Sequence, residues 1–338
     1  MELSKQRIQR WDNIKAVLIF LVVLGHVADI YADVSFATGV IRFIIYSFHM
    51  PLFLFISGMF SKKNVQQKRW DKIFSYLVLY IFLKILIFIA KWISYGKQPQ
   101  FNLFSEMETP WYVFCLFAFC IITIALKNVK WYYVLTVSII VACISGYDNS
   151  IRDFLCLSRI IVFYPFFYAG FLIEPEKLNS WLKNKKIIII SLLFLIGVII
   201  TVTVFYSNIK GIKYIYTGRN PYSVIVKNAP YAFLFRIICY VTSAAIGLSF
   251  MAIIPDKMKN NLISVTGSRS VQIYALHKPL MILWFGIVNE RFQIEQLFVS
   301  KLVLYEIVIS VLIYVICALP VWNPLFRRIL TVPVSDNK

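Results

Sequence analysis

The chain has 338 residues, of which 60% are hydrophobic and only 15% charged, and its mean hydropathy is +0.74. Ordinary soluble domains carry about 25% charged residues, so a water-soluble fold of this size would lack the polar surface to cover its core. That composition excludes a soluble enzyme, while six scattered Cys and only three His exclude a disulfide scaffold and a His-rich metal centre, so no metal is expected.

Taken in chain order, apolar runs near the bilayer-spanning length of about 20 residues recur at 14–33, 40–60, 73–95, 110–127, 131–147, 157–173, 186–206, 229–253, 264–288 and 299–320. This predicts an all-α integral membrane protein, a polytopic bundle of about ten helices. Only Lys127 to Lys130 separates the fourth run from the fifth. The first run is long and lacks a small-residue cleavage site, which argues against a removed signal peptide.

The net charge of +19 sits between these runs. With the N-terminus inside, the inner connections hold 21 Lys and Arg and the outer ones 12. Basic inner loops orient membrane proteins, so both termini are expected in the cytoplasm of a multi-pass plasma-membrane protein. Residues 1–330 then form a single transmembrane domain and 331–338 a short cytoplasmic tail. The charge is explained by topology in a lipid environment, and no nucleic-acid partner is expected. The longest outer connection, Ser207 to Asn228, is the candidate lid or binding loop.

All three His fall inside runs. At a rise of 1.5 Å per residue, His26, His49 and His277 each lie roughly 16–20 Å from the inner end of their helix. An ionisable group at that depth is costly and points to function, although a single intramembrane His serves equally well as an interhelical hydrogen-bonding residue. Three at one depth favour a shared cavity. His49-Met50-Pro51 and His277-Lys278-Pro279 share a pattern, and Tyr164-Pro165 adds a third break. A helical Pro frees the carbonyl four residues back, here Ser47 and Ala275. Membranes tolerate such breaks where the freed group meets protein or a wet cavity, yet simple bending is the plainer account.

Lys15 lies on the His26 face, eleven residues away and about 16 Å along the axis. Arg10 clusters with Lys15 at the inner mouth, and Lys68, Arg69 and Lys72 enter from the next inner loop. A basic mouth suits a polyphosphate ligand, but topology alone also supplies inner cations. On the outer side, Glu108, Trp111 and Arg159, with Asp29, Asp33, Glu106, Asp148 and Asp153 nearby, would suit a sugar. Such residues are also common at any membrane interface. Lys84 and Glu306 lie within runs and would either pair with each other or line a path.

Arg10-Trp11-Asp12-Asn13-Ile14-Lys15, followed after ten residues by His26, resembles the opening motif of the membrane-bound acyltransferase family 3. The stretch from Ser47 to Gly58, Pro110-Trp111-Tyr112, Arg159 with Tyr164 to Gly170, and Tyr274 to Pro279 are similar to later motifs, in order, across essentially the whole chain. The nearest branch resembles the fucose 4-O-acetylase-like integral membrane O-acetyltransferases. The resemblance implies transfer of an acyl group from cytoplasmic acyl-CoA, with acetyl-CoA as donor, to a hydroxyl of an extracytoplasmic or lipid-linked sugar or polysaccharide. Carry-over is direct for Lys15, His26 and His49 and reasonable for Arg69 and His277. Many members have Arg where Lys15 stands, which keeps the charge but loses the bidentate fork. Some relatives append an extracytoplasmic hydrolase-like domain. None is expected before Lys338, so such a domain would come from a partner, such as glycan-assembly machinery, or would not be needed.

On that reading His26 is the general base or a transient acyl-His nucleophile, His49 or Tyr274 orients it or serves the oxyanion, and His277 is a further catalytic candidate. Arg10, Lys15, Lys68, Arg69 and Lys72 hold coenzyme phosphates, and Trp111, Glu108 and Arg159 meet the acceptor. The competing expectation is a polytopic transporter or exporter of a glycan or small polar substrate, since broken helices and midplane polar sites are transporter features too. The sequence shows no two-half repeat in its favour.

Overall fold

A computed structural model describes residues 8–227, 229–256, 261–292 and 301–331. The tail expected at 331–338 lies outside the described residues, apart from Thr331. The described chain is a helical bundle: α1 Gln9–Tyr31, α2 Phe36–Gln66, α3 Trp70–Tyr95, α4 Trp111–Ala125, α5 Trp131–Ser145, α6 Leu157–Leu172, α7 Pro175–Leu182, α8 Lys185–Ile209, α9 Lys213–Tyr216 and α10 Phe233–Ile253. It continues through α11 Asn261–Ser268, α12 Ser270–Leu283, α13 Glu290–Phe292, α14 Leu302–Ala318 and α15 Asn323–Ile329. Among the described residues the extended structure is one isolated bridge, Ser105 with Phe154.

Six helical segments are long and apolar enough to cross a membrane, or eight if two bent pairs each count as one span. The first bent pair turns by 89° between α6 and α7, and the second by 43° after α14. The apolar helices α4 and α5 are shorter, at 15 residues each. The run expected at 264–288 is divided: α11 ends at Ser268, α12 starts at Ser270, and residues 284–289 relax into a π-turn. Pro279 lies inside α12, where it removes a backbone donor.

The centre is α2, whose apolar window is 72% buried, whereas that of α8 is only 11% buried and faces outward. In lipid, helices associate through close packing and hydrogen bonds, because the tails are as apolar as Leu. The contact of α2 with α6 shows how. A Cβ at Gly58 would stand 1.9 Å from the Phe167 carbonyl oxygen, and one at Gly170 would stand 1.8 Å from that of Phe55. Only Gly lets the two backbones approach this closely. Pro51 frees the Ser47 carbonyl, and Ser243 of α10 donates its hydroxyl to it, so the kink becomes an interhelical contact.

Lys84 and Glu306 do not pair with each other. Lys84 Nζ lies 2.8 Å from Glu106 Oε2 and also donates to the Ser105 carbonyl, fastening the 96–110 loop to α3. Glu306 is fully buried and accepts from the Thr38 hydroxyl at 2.7 Å, tying α14 to α2. Sequence depth alone could not tell which helix each side chain faced.

Candidate active site

Three helices, α1, α2 and α12, carry the histidine layer, and the loops around it close the layer in. On α1, His26 projects into a cavity of about 320 Å³ and its ring stacks on His277 of α12 at 5.4 Å between centroids. His49 of α2 lines the same cavity. His277 does not; it is fully buried behind His26. The three His converge although 228 residues separate His49 from His277 in the chain.

Each ring is oriented by its surroundings. His49 Nδ1 meets the Ile45 carbonyl at 2.7 Å, a contact that makes Nδ1 the donor and leaves Nε2 the basic lone pair. His277 Nδ1 meets the Tyr274 carbonyl at 2.7 Å in the same manner, and its Nε2 is buried without a hydrogen-bond partner. His26 Nδ1 stands 3.8 Å from Asp29 Oδ2. Asp29 in turn accepts from the Tyr46 hydroxyl and lies 3.6 Å from the Arg42 guanidinium. The carboxylate beside the half-buried imidazole is therefore itself held from two sides. Sequence reasoning placed Asp29 only among outer acidic residues. The signal was the i, i+3 spacing, which sets it on the His26 face.

Tyr274 also lines the cavity, but its hydroxyl donates to the Thr109 carbonyl rather than to His26. Glu108, Trp111 and Arg159 all line it. Arg159 donates to the Glu106 carbonyl at 2.9 Å and its guanidinium lies 5.0 Å from the Trp111 ring centroid. Trp111 stacks on Phe163, leaving an aromatic wall. Glu108 lies 2.9 Å from Lys91 and 3.5 Å from Lys278. Burial works against the Glu108 carboxylate, but Lys278 and Lys91 overcome it and hold its pKa down at about 2. For Glu106 burial prevails over Lys84 and raises the pKa. The long connection folds over the mouth, with Lys213, Tyr214, Thr217 and Arg219 on the cavity wall; Asn228 lies outside the described residues.

A second cavity of about 240 Å³ runs toward the end of the bundle where α1 begins, and Lys15, Ser57, Ser61 and Tyr76 line it. It shares Val22, Met50 and Tyr274 with the first cavity. The two spaces thus meet at the histidine layer, separated by three side chains. Of the cations expected at this end, Lys15 lines the slot while pairing with Asp12 at 2.8 Å. Lys72 borders an adjoining groove and donates to the Leu330 carbonyl. Arg10 is buried, Lys68 is exposed and Arg69 pairs with Asp71, and none of these three lines either cavity or the groove.

The motif order seen in the sequence now has a structural counterpart, since its residues surround these two cavities. The family model described as an acyltransferase domain matches residues 8–322. The chain belongs to acyltransferase family 3. It is also 30% identical over 200 residues to nodulation protein NolL of Sinorhizobium fredii (strain NBRC 101917 / NGR234), a match covering 54% of this chain and 53% of that protein. The chain therefore spans about half the length of that curated relative. No solved structure matches the chain. Within this acyltransferase family, the site assembles a basic ring, an oriented carboxylate, an aromatic wall and access from two directions.

Proposed function

We propose that the protein is an acyl-CoA-dependent O-acyltransferase, with acetyl-CoA as donor, that modifies a hydroxyl of an extracytoplasmic or lipid-linked sugar or polysaccharide. The observation that carries this reading is the pair of cavities meeting at Val22, Met50 and Tyr274, one entered past Lys15 and the other past Trp111 and Arg159. We assign both termini to the cytoplasm of the plasma membrane. The six long spans, two bent pairs and two shorter apolar helices together support ten crossings of a single domain.

In this mechanism the donor's thioester arm enters the slot and the acceptor hydroxyl enters the outer cavity. His26 takes the hydroxyl proton, and Asp29 steadies the imidazolium that forms. The acceptor oxygen bonds to the thioester carbonyl carbon, and the negative charge moves to the carbonyl oxygen. Collapse expels the thiolate, His26 returns the proton to sulfur, and the products are an ester and a free thiol. The Nε2 lone pair of His49 lines the same space and would orient the incoming hydroxyl by accepting a hydrogen bond from it. Glu108, Trp111 and Arg159 hold the acceptor, and membrane lipids with glycan-assembly machinery complete the setting.

The test is transfer of label from acetyl-CoA to surface glycans by membranes carrying the wild-type chain or His26→Ala. Loss of a general base removes about 10²–10⁴-fold of the rate. Transfer surviving in His26→Ala at unchanged membrane abundance would falsify the assignment.

A further inference from the structure

Beside the slot lies a groove that the sequence motifs do not mark. The start of α3, the α11–α12 junction and α15 enclose about 720 Å³, within the usual range of roughly 300–1,000 Å³ for small-molecule sites. Its wall carries Lys72, Arg269, Arg327 and Arg328 and no carboxylate. Ser268, Val271 and Leu330 line both the groove and the 240 Å³ slot, so one opens into the other.

Two of these cations are held by backbone oxygens. Arg269 donates to the Ala318 carbonyl at 2.7 Å, and Lys72 to the Leu330 carbonyl at 3.1 Å. Arg327 and Arg328 are exposed. Among the described residues, no Asp or Glu lies within 4.0 Å of any of the four. Lys15 and Arg69 differ in this respect, because each already has a carboxylate partner. Like charges gathered on one concave wall repel each other, and a ligand with several negative charges relieves that cost. Arg adds a planar fork that matches phosphate oxygens.

We propose that Lys72, Arg269, Arg327 and Arg328 form the binding site for the phosphates at the nucleotide end of the acyl donor, outside the slot that takes its thioester arm. This rests on the acyl-transfer reading and moves the main anion contacts away from Arg10, Lys68 and Arg69. An anionic lipid headgroup offers the same phosphate chemistry at a membrane surface. The opening into the slot favours the nucleotide.

The experiment uses the full chain in neutral detergent and adenosine 3′,5′-bisphosphate as probe, with binding followed by calorimetry. Replacing both exposed arginines (Arg327→Gln with Arg328→Gln) is expected to weaken binding at least about tenfold, as loss of charge-assisted hydrogen bonds does. Arg327→Lys with Arg328→Lys, which keeps the charge, should recover most of the affinity. In transfer assays, the preference for acetyl-CoA over S-acetylpantetheine, which carries no phosphate, should fall by a similar factor. Unchanged bisphosphate affinity in the Gln variant overturns the proposal. So does a variant that keeps bisphosphate affinity but loses stabilisation by phosphatidylglycerol vesicles, because that identifies a lipid headgroup. Bisphosphate binding that depends on these arginines, without acetyl transfer from either donor, supports the groove and refutes the transferase reading.

Discussion

The two openings of the bundle carry similar numbers of cations and use them differently. The cavity at the histidine layer is lined by Arg159, Lys213, Arg219 and Lys278, but also by Asp29 and Glu108. Two of its cations face carboxylates, Arg219 with Asp153 and Lys278 with Glu108, and Arg159 donates to the Glu106 carbonyl. The groove beside the slot has four cations and, among the described residues, no lining carboxylate. A wall of paired charges presents fixed donors and acceptors, which suits a hydroxyl-rich neutral ligand. A wall of positive charge that faces no carboxylate among the described residues suits a polyanion and is sensitive to salt. Positive-inside topology would explain an excess of cations at one end of the bundle but not their convergence on one groove.

The largest effect expected from disturbing this contrast is at the outer anchor. Lys84→Met leaves the almost fully buried Glu106 carboxylate without its partner. Breaking one side of such a pair costs about 3–5 kcal/mol, enough to lower thermal stability in detergent visibly. Lys84→Met combined with Glu106→Leu should recover part of that loss. If the single and double variants melt alike, the pair does not anchor the loop. An intermediate effect is expected from ionic strength. Raising salt from 0.1 to 1 M shortens the screening length from about 10 Å to about 3 Å. The KM for acetyl-CoA should rise several-fold while that for the acceptor moves less. Equal responses would erase the distinction between the two mouths.

The smallest effect concerns Glu108. Its pKa is depressed to about 2 from an ordinary value of 4.5, so its pairing with Lys278 and Lys91 stabilises the fold fully above pH 4.5. That contribution fades as pH falls through about 2. The wild type should therefore melt above Glu108→Gln at pH 7, with the gap narrowing below pH 4.5. A constant gap across a pH series would assign the difference to packing.

Part of this site could be read directly from the chain. The depth of His26, His49 and His277 and the Lys15–His26 alignment follow from a fixed rise and turn per residue. Glu108, Trp111 and Arg159 were also legible, because acidic, aromatic and basic residues at helix mouths stand out against apolar runs. Asp29 was visible as a residue, but not as the group beside His26. Whether Lys84 pairs with Glu306 or lines a path stayed open in the sequence, because depth carries no information about which neighbour a helix faces; Lys84 pairs with Glu106 instead. The Pro51 kink was expected, whereas the Ser243 hydroxyl that satisfies its freed carbonyl lies 196 residues away from Ser47.

Composition and apolar spacing by themselves determined a helical membrane protein, its approximate runs and the level of its histidines. Those properties arise from local helix geometry and from the cost of polar groups in lipid. Tertiary structure alone decided that His26 stacks on His277, that two cavities meet at Val22, Met50 and Tyr274, and that Arg327 and Arg328 join Lys72 and Arg269. Each of these depends on how helices rotate and pack against one another. That choice is made by close contacts such as Gly58 on Phe167, distributed over distant parts of the chain.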